Sequence, residues 1–301
     1  MQLIRRLDLA QRIEPGRPAW LSAASGLVRT ADEFCVVADD ELHLGRFGLE
    51  AGRAGRLLRL FPGELPHRRT PRKKQKPDLE VLMRLPASAG HPHGALLALG
   101  SGSGARRCRG AVVALGAQGR VMGRPRAINA TPLFARLARS IDDLNLEGGW
   151  VAGRHLHLLQ RGNKGGSRNA VLRFDLQRVM RSLLRERALP DADPEQVKQL
   201  DLGDIQGVPL CFTDASPLPA GGWMFSAVAE DTRSSYSDGP CLGSAIGRVD
   251  ARSRLRWIRP LSRQHKIEGI EAAMNGSKLQ AWLVTDADDP RVPASLLHWQ
   301  G

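Results

Sequence analysis

Cysteines are few and far apart in this chain. Cys35, Cys108, Cys211 and Cys241 include no pair at zinc-ligand spacing. Cys35 and Cys211 fall in apolar runs and read as reduced core residues. Long apolar runs are absent too, and nothing in the sequence is long enough to span a bilayer. The first nine residues lack the continuous apolar segment and cleavage site of a secretory signal. A cytoplasmic protein with no membrane partner is therefore expected. There is no Gly-x-Ser-x-Gly elbow, no Walker loop and no His-Glu-x-x-His. The run Gly100-Ser101-Gly102-Ser103-Gly104 lacks the following Lys-Thr of a phosphate loop and reads as a turn. Acidic residues are in deficit, leaving a formal charge of +13. The basic residues are scattered, without the stripe or motif of a nucleic-acid reader. A small-molecule ligand or substrate is the expected partner, and nucleic acid is not. One dense basic cluster, 67–77, has no apolar residue beyond its prolines and reads as an exposed loop, dispensable for folding.

What is present is a repeat. The segments 24–28, 79–82, 146–150, 213–216 and 267–270 align on Ser25, Glu80, Glu147, Asp214 and Glu268, spaced 55, 67, 67 and 54 residues apart. Each opening is followed by an apolar run ending in a polar turn, at 34–40, 95–101, 156–163, 224–231 and 281–288. A third run follows at 42–47, 110–115, 169–174, 243–249 and 295–299. Short apolar runs bounded by Gly, Asp and Asn are the pattern of buried strands. Units of this length hold four strands and a long loop. The predicted fold is all-β, a single β-propeller domain over residues 1–301, with five blades and six as the alternative. The last unit shows only three strand runs, so the segment from Met1 to Leu9 is predicted to close the ring and remove two exposed edges. Two insertions, 131–145 and 176–199, carry helical spacing. In the second, Leu176, Val179, Leu183 and Leu184 could share one face.

Antiparallel pairing sets the end of the second strand beside the start of the first. The opening acids and the polar turns should therefore gather at one end of a central channel. The expected channel residues are Ser25, Asp39, Glu80, Asn163, Asp214 and Glu230, with Tyr236 in a covering loop. Confined carboxylates must protonate, take up a cation or pair with a basic group. Their oxygen-only chemistry suits Ca²⁺ or Mg²⁺. Glu271 or Asp231 would remain as a general base. The pairs His91/His93 and His155/His157 fall outside the acidic columns.

Glu147-Gly148 and Ile267-Glu268-Gly269-Ile270-Glu271-Ala272, followed by Leu283-Val284-Thr285-Asp286-Ala287-Asp288-Asp289, resemble the repeated pattern of phytase-like and esterase-like bacterial β-propellers. A smaller uncharacterised propeller family near these is equally compatible. The resemblance implies a hydrolase of phosphoesters or of carboxylic esters and lactones. It implies a divalent cation held by Glu147, Glu268, Asp286 and Asp289. The alternative is a non-catalytic propeller binding a small ligand or protein segment at the channel mouth.

Overall fold

The structure is a computed structural model that describes residues 1–14, 16–162, 168–232, 239–261 and 263–301. Five antiparallel sheets stand as the blades of a β-propeller. Blade 1 is β2 (Ala24–Arg29), β3 (Glu33–Ala38), β4 (His43–Gly48) and β5 (Arg56–Arg59). Blade 2 is β6 (Leu79–Leu85), β7 (Ala95–Gly100), β8 (Arg109–Ala114) and β9 (Arg126–Asn129). Blade 3 is β10 (Leu146–Ala152), β11 (His155–Gln160), β12 (Ala170–Asp175) and β13 (Gln196–Gln199). Blade 4 adds a short strand, β14 (Asp204–Ile205), to β15 (Val208–Pro217), β16 (Trp223–Glu230), β17 (Cys241–Val249) and β18 (Leu255–Pro260). Blade 5 combines β19 (Ile267–Asn275), β20 (Lys278–Thr285) and β21 (Ser295–Gln300) with β1 (Gln2–Arg6) from the other end of the chain.

Strand β1 pairs antiparallel with β21, Gln2 opposite His298 and Arg6 opposite Ser295. The ring thus closes between the first and last strands, and β21 is not left as a bare edge. The innermost strands β2, β6, β10, β15 and β19 pack in succession, and β19 returns to β2. Buried apolar layers fill the gaps between neighbouring blades. Between blades 3 and 4, for example, Trp150 stacks on Trp223 with ring centroids 4.6 Å apart. Burial of such side chains, at about 25 cal/mol per Å² of apolar surface, holds the blades together.

The two helical insertions form α2 (Thr131–Leu137) and α3 (Leu176–Arg185), packed outside blades 2 and 3. Asp175 caps α3 by accepting the Arg178 N–H at 2.7 Å. Leu176 and Val179 are buried and Leu183 packs against them, but Leu184 is exposed. At about 100° per residue Leu176, Val179 and Leu183 fall within one stripe, whereas Leu184 turns away from its neighbour Leu183 and falls off it. No described helix is long and apolar enough to cross a membrane.

The basic cluster corrects its sequence reading. It folds as α1 (Arg69–Gln75), between blades 1 and 2. Arg72 and Lys76 are buried, at 5 % and 8 % exposure. Arg72 donates to the Asp40 carbonyl at 2.7 and 3.0 Å and to Glu41 at 2.8 Å. A cation can be buried where carboxylates and carbonyls meet it. The missing apolar residues said nothing about such partners.

Candidate functional site at the acidic end of the channel

Every inner strand carries a β-bulge, at its second or third residue except in β15, where it falls at the sixth. The extra residue is Glu80 in β6, Glu147 in β10, Thr213 in β15 and Glu268 in β19, and β2 bulges across Ser25 and Gly26. A bulge leaves one residue out of the ladder and re-aims its side chain. The structural column is therefore Ser25, Glu80, Glu147, Thr213 and Glu268. Asp214 lies one position later than the sequence alignment placed it, in the register of Gly26, Val81, Gly148 and Gly269.

That next position explains the Glu-Gly pairs. A Cβ on Gly269 would stand 2.4 Å from the Ser25 carbonyl oxygen, and one on Gly148 would stand 2.8 Å from the Asp214 Cα. Glycine lets neighbouring inner strands touch through their backbones. Blade 4 uses a different contact. Asp214 is fully buried and accepts the Ile270 N–H of the next blade at 3.0 Å and the Ala215 N–H at 2.8 Å. Burial still holds its carboxyl well above the usual range. It stitches blades together within the ring.

Around the mouth, the bulge acids meet cations from the same chain. Lys266 Nζ lies 3.3 Å from Glu268, 3.7 Å from Glu230 and 3.0 Å from Asp288. Arg161 reaches Glu230 at 2.7 Å and Glu147 at 3.4 Å, and Asn145 donates to Glu147 at 2.6 Å. Lys76 contacts Asp39 and lies 2.9 Å from Asp78. Asp78 also accepts from Arg107 at 2.8 Å and Ser101 at 2.5 Å. The Gly-Ser run is thus the turn that brings Ser101 and Arg107 to Asp78.

These environments split the carboxylates. Burial pushes Glu147 up to about 8, Arg161 opposing and Glu268 adding to the shift. Burial, with the nearby charges of Glu147, Asp78 and Asp39, raises Glu80 well above its usual range. Asp39 rises to about 6, burial outweighing the pull of Lys76. Asp286 rises well above its usual range for the same reason, Lys266 opposing. Burial also acts on Asp78, but Lys76, Arg107 and Ser101 together hold it low. Both lysines are held charged, their carboxylates outweighing burial.

Among the described residues, Asp39, Asp78 and Glu80 bring one oxygen each within 4.8 Å of one another, as a candidate cation site. The ammonium of Lys76 already lies against two of them. Ca²⁺ takes six to eight oxygen ligands, so three carboxylates with a lysine among them do not fit it as they stand. The proposed ligands Glu147, Glu268 and Asp286 belong to other ion pairs or turns, and Asp286 accepts the Asp288 N–H at 2.7 Å. Asp289 pairs with the exposed Arg291 at 2.7 Å, a bond that holds its carboxyl near 2.

The remaining expected residues are dispersed. Ser25 is buried, its Oγ 3.3 Å from the Ala23 carbonyl. Asp231 is exposed beyond β16. Glu271 lies further along β19, where burial lifts it to about 7 against Arg84, Arg29 and Ser216. Arg29 and Ser216 stand at the far ends of their strands, so Glu271 belongs to the other half of the channel. Asn163 and Tyr236 lie outside the described residues. Sequence reasoning missed Lys76, Asp78, Arg107, Asn145 and Arg161 as site residues. A signal for part of this existed: Asp78, Asn145 and Lys266 each precede a bulge acid by two residues.

A cleft of about 120 Å³ opens beside the Asp39 cluster, walled by Arg17, Arg72, Lys76 and Asp286. The molecule is a five-bladed β-propeller with a buried, ion-paired carboxylate cluster at one end of its ring. The chain belongs to the DUF6929 family, a family of unknown function, which matches residues 20–300. No curated protein matches the sequence. Among solved structures, a luciferin-regenerating enzyme is 8 % identical, covering 96 % of this chain and 94 % of its own, at a TM-score of 0.46. The WD40 propeller of Doa1 is 9 % identical over 100 % of this chain and 97 % of its own, at 0.37. The Dos1 propeller is 12 % identical over 97 % of this chain, at 0.36, and the chain spans 63 % of its length.

Proposed function

We propose that the chain is a hydrolase of small esters, with its reacting groups in the Asp39–Asp78–Glu80 cluster. The observation that supports this is the gathering of three carboxylates within 4.8 Å around a lysine, beside an open cleft. Their proton affinities are pushed apart, Asp78 down and Glu80 far up. Such divergence is how one site holds an acid and a base at the same pH. Asp39, near 6, is ionised at neutral pH and would take a proton from water. Glu80 holds a proton and would give it to the leaving oxygen. Lys76 would stabilise the oxyanion that forms. Arg17, Arg72 and Lys76 on the cleft wall are balanced by Asp39, Asp40 and Asp286 beside them, so the reading covers phosphoesters and neutral esters alike. A phytase-like use of calcium is not part of this reading, because Lys76 stands where the cation would.

The test is turnover of p-nitrophenyl phosphate and p-nitrophenyl acetate in the presence of a chelator. Glu80→Gln and Asp39→Asn should each reduce it about a hundredfold or more. No turnover of either ester, or turnover untouched by both variants, removes the reading. A second reading is favoured by the pairing of the mouth's lysines and Arg161 with carboxylates. In it the mouth only binds a small polar ligand, seen as a rise in melting temperature without turnover.

A further inference from the structure

A second cleft lies between blades 3 and 4, away from the Asp39–Asp78–Glu80 cluster of blades 1 and 2. It has a volume of about 150 Å³. Its lining comes from the last residues of β10, from β11, β12 and β13, from the start of β16, and from the β17–β18 turn, none of which belongs to the Asp39–Asp78–Glu80 cluster. The floor is aromatic. Trp150 stacks on Trp223 with centroids 4.6 Å apart, and on His157 at 4.6 Å with rings nearly parallel. Both tryptophans are nearly buried, at 3 % and 6 % exposure, and Val171 and Val249 extend the apolar wall.

Two polar atoms on this wall have no hydrogen-bond partner. They are His157 Nδ1 and Arg173 Nε, and both are buried. Glu195 lies 3.7 Å from Arg173 Nε, beyond hydrogen-bonding distance. An orphaned buried donor costs about 1–3 kcal/mol, so a partner is called for. Arg173 Nε can only donate. Burial and the positive charges nearby push His157 down to about 4 against its hydrogen bond to the Trp150 backbone, so its ring is neutral at physiological pH, its one N–H is engaged there, and the charged donor facing the cleft is Arg173. Lys198 adds a second cation to the lining and donates to the Ser253 carbonyl, tying blade 3 to blade 4. Asp250, the acid of the lining, has one oxygen occupied by the backbone N–H groups of Arg252 and Arg254 at 2.9 Å.

We infer that this cleft binds a small carboxylate carried on a single aromatic ring or a short apolar body. The apolar floor takes the body, and Arg173 takes the oxyanion. A dry apolar cavity of about 150 Å³ accommodates one benzene ring, which sets the size. Pockets of this composition, apolar with a few convergent polar groups, are the usual form of a small-ligand site. The inference is independent of the ester-hydrolase reading, because it uses other residues between other blades.

The experiment is titration of the folded protein with benzoate, read by near-ultraviolet circular dichroism of the tryptophans and by melting temperature. Benzoate should saturate below about 10 mM and raise the melting temperature. Benzamide, the neutral analogue, should bind at least tenfold more weakly. Arg173→Gln lies on a half-exposed side chain and should fold; it should weaken benzoate at least tenfold. Glu80→Gln should bind benzoate like the wild type. A failure of benzoate to saturate overturns the inference. Equal binding of benzoate and benzamide, or full binding by folded Arg173→Gln, overturns it too.

Discussion

Lys266 and Glu268 stand two residues apart and face each other at 3.3 Å, one before the bulge of β19 and the other within it. The same two-residue offset sets Asp78 before Glu80 and Asn145 before Glu147. The bulge turns what would be parallel neighbours on one face of a strand into partners around the channel. In this way the ring carries its own counter-ions, and Lys76, from the end of α1, completes the set.

Removing Lys76 tests that balance. Lys76→Met should lower stability by about 3–5 kcal/mol, since it leaves buried carboxylates unpaired. Wild type should melt alike with Ca²⁺ and with chelator. The variant should gain from Ca²⁺, by about 2.7 kcal/mol at a hundredfold excess over its dissociation constant. Thermal melting of both proteins with and without Ca²⁺ decides it. A large calcium stabilisation of wild type would show that the ion displaces the lysine.

Stability should also fall as the pH rises from about 4.5 to about 8. Asp39, Glu271 and Glu147 are lifted to about 6, 7 and 8 in the folded chain. The folded state then binds more protons than the unfolded one across that window. Its advantage is complete below the unfolded values and is lost as each group ionises. Glu271→Gln should therefore gain stability over wild type at pH 8 and match it below pH 4.5. Urea unfolding at the two pH values measures the difference.

Close approach of the inner strands gives a third test. Gly269→Ala places a Cβ against the Ser25 carbonyl at 2.4 Å, a contact with backbone that cannot swing away. A loss of about 1–3 kcal/mol is expected. Gly52→Ala, with open space around it, should stay within about 0.5 kcal/mol of wild type. Denaturant midpoints of the two variants supply the comparison.

Deleting residues 1–6 should lower the melting temperature and promote association, because β21 becomes an exposed edge. Intact protein should unfold in one transition, as one domain over residues 1–301 would. Calorimetry together with light scattering checks both outcomes.

The blades were legible because each repeats an apolar run closed by a polar turn, and burial in a propeller demands that pattern five times. The strand runs at 34–40 and 281–288 contain all but the first residue of β3 and five of the eight residues of β20. The bulge was not legible. Phe212-Thr213-Asp214 offers a carboxylate at the place where the other blades have glycine or valine, so the alignment slipped by one. A bulge is an extra residue in a ladder, and no composition announces it. The acids of the site could be read because they recur in phase with the strands. Lys76, Arg107 and Arg161 could not, since they arrive from a helix end, a turn and a strand end, in phase with nothing.

The pairing of β1 with β21 also orders events in time. Among the strands of this ring, residues 2–6 are made before the others, yet their partner, residues 295–300, comes after them all. During synthesis, then, the opening segment waits without a partner while four blades are laid down behind it. Blade 5 can lock only when almost the whole chain has emerged. Such a long-range final contact makes ring closure a late and slow step, and until it happens the newest strand has an open side on which a second chain can pair.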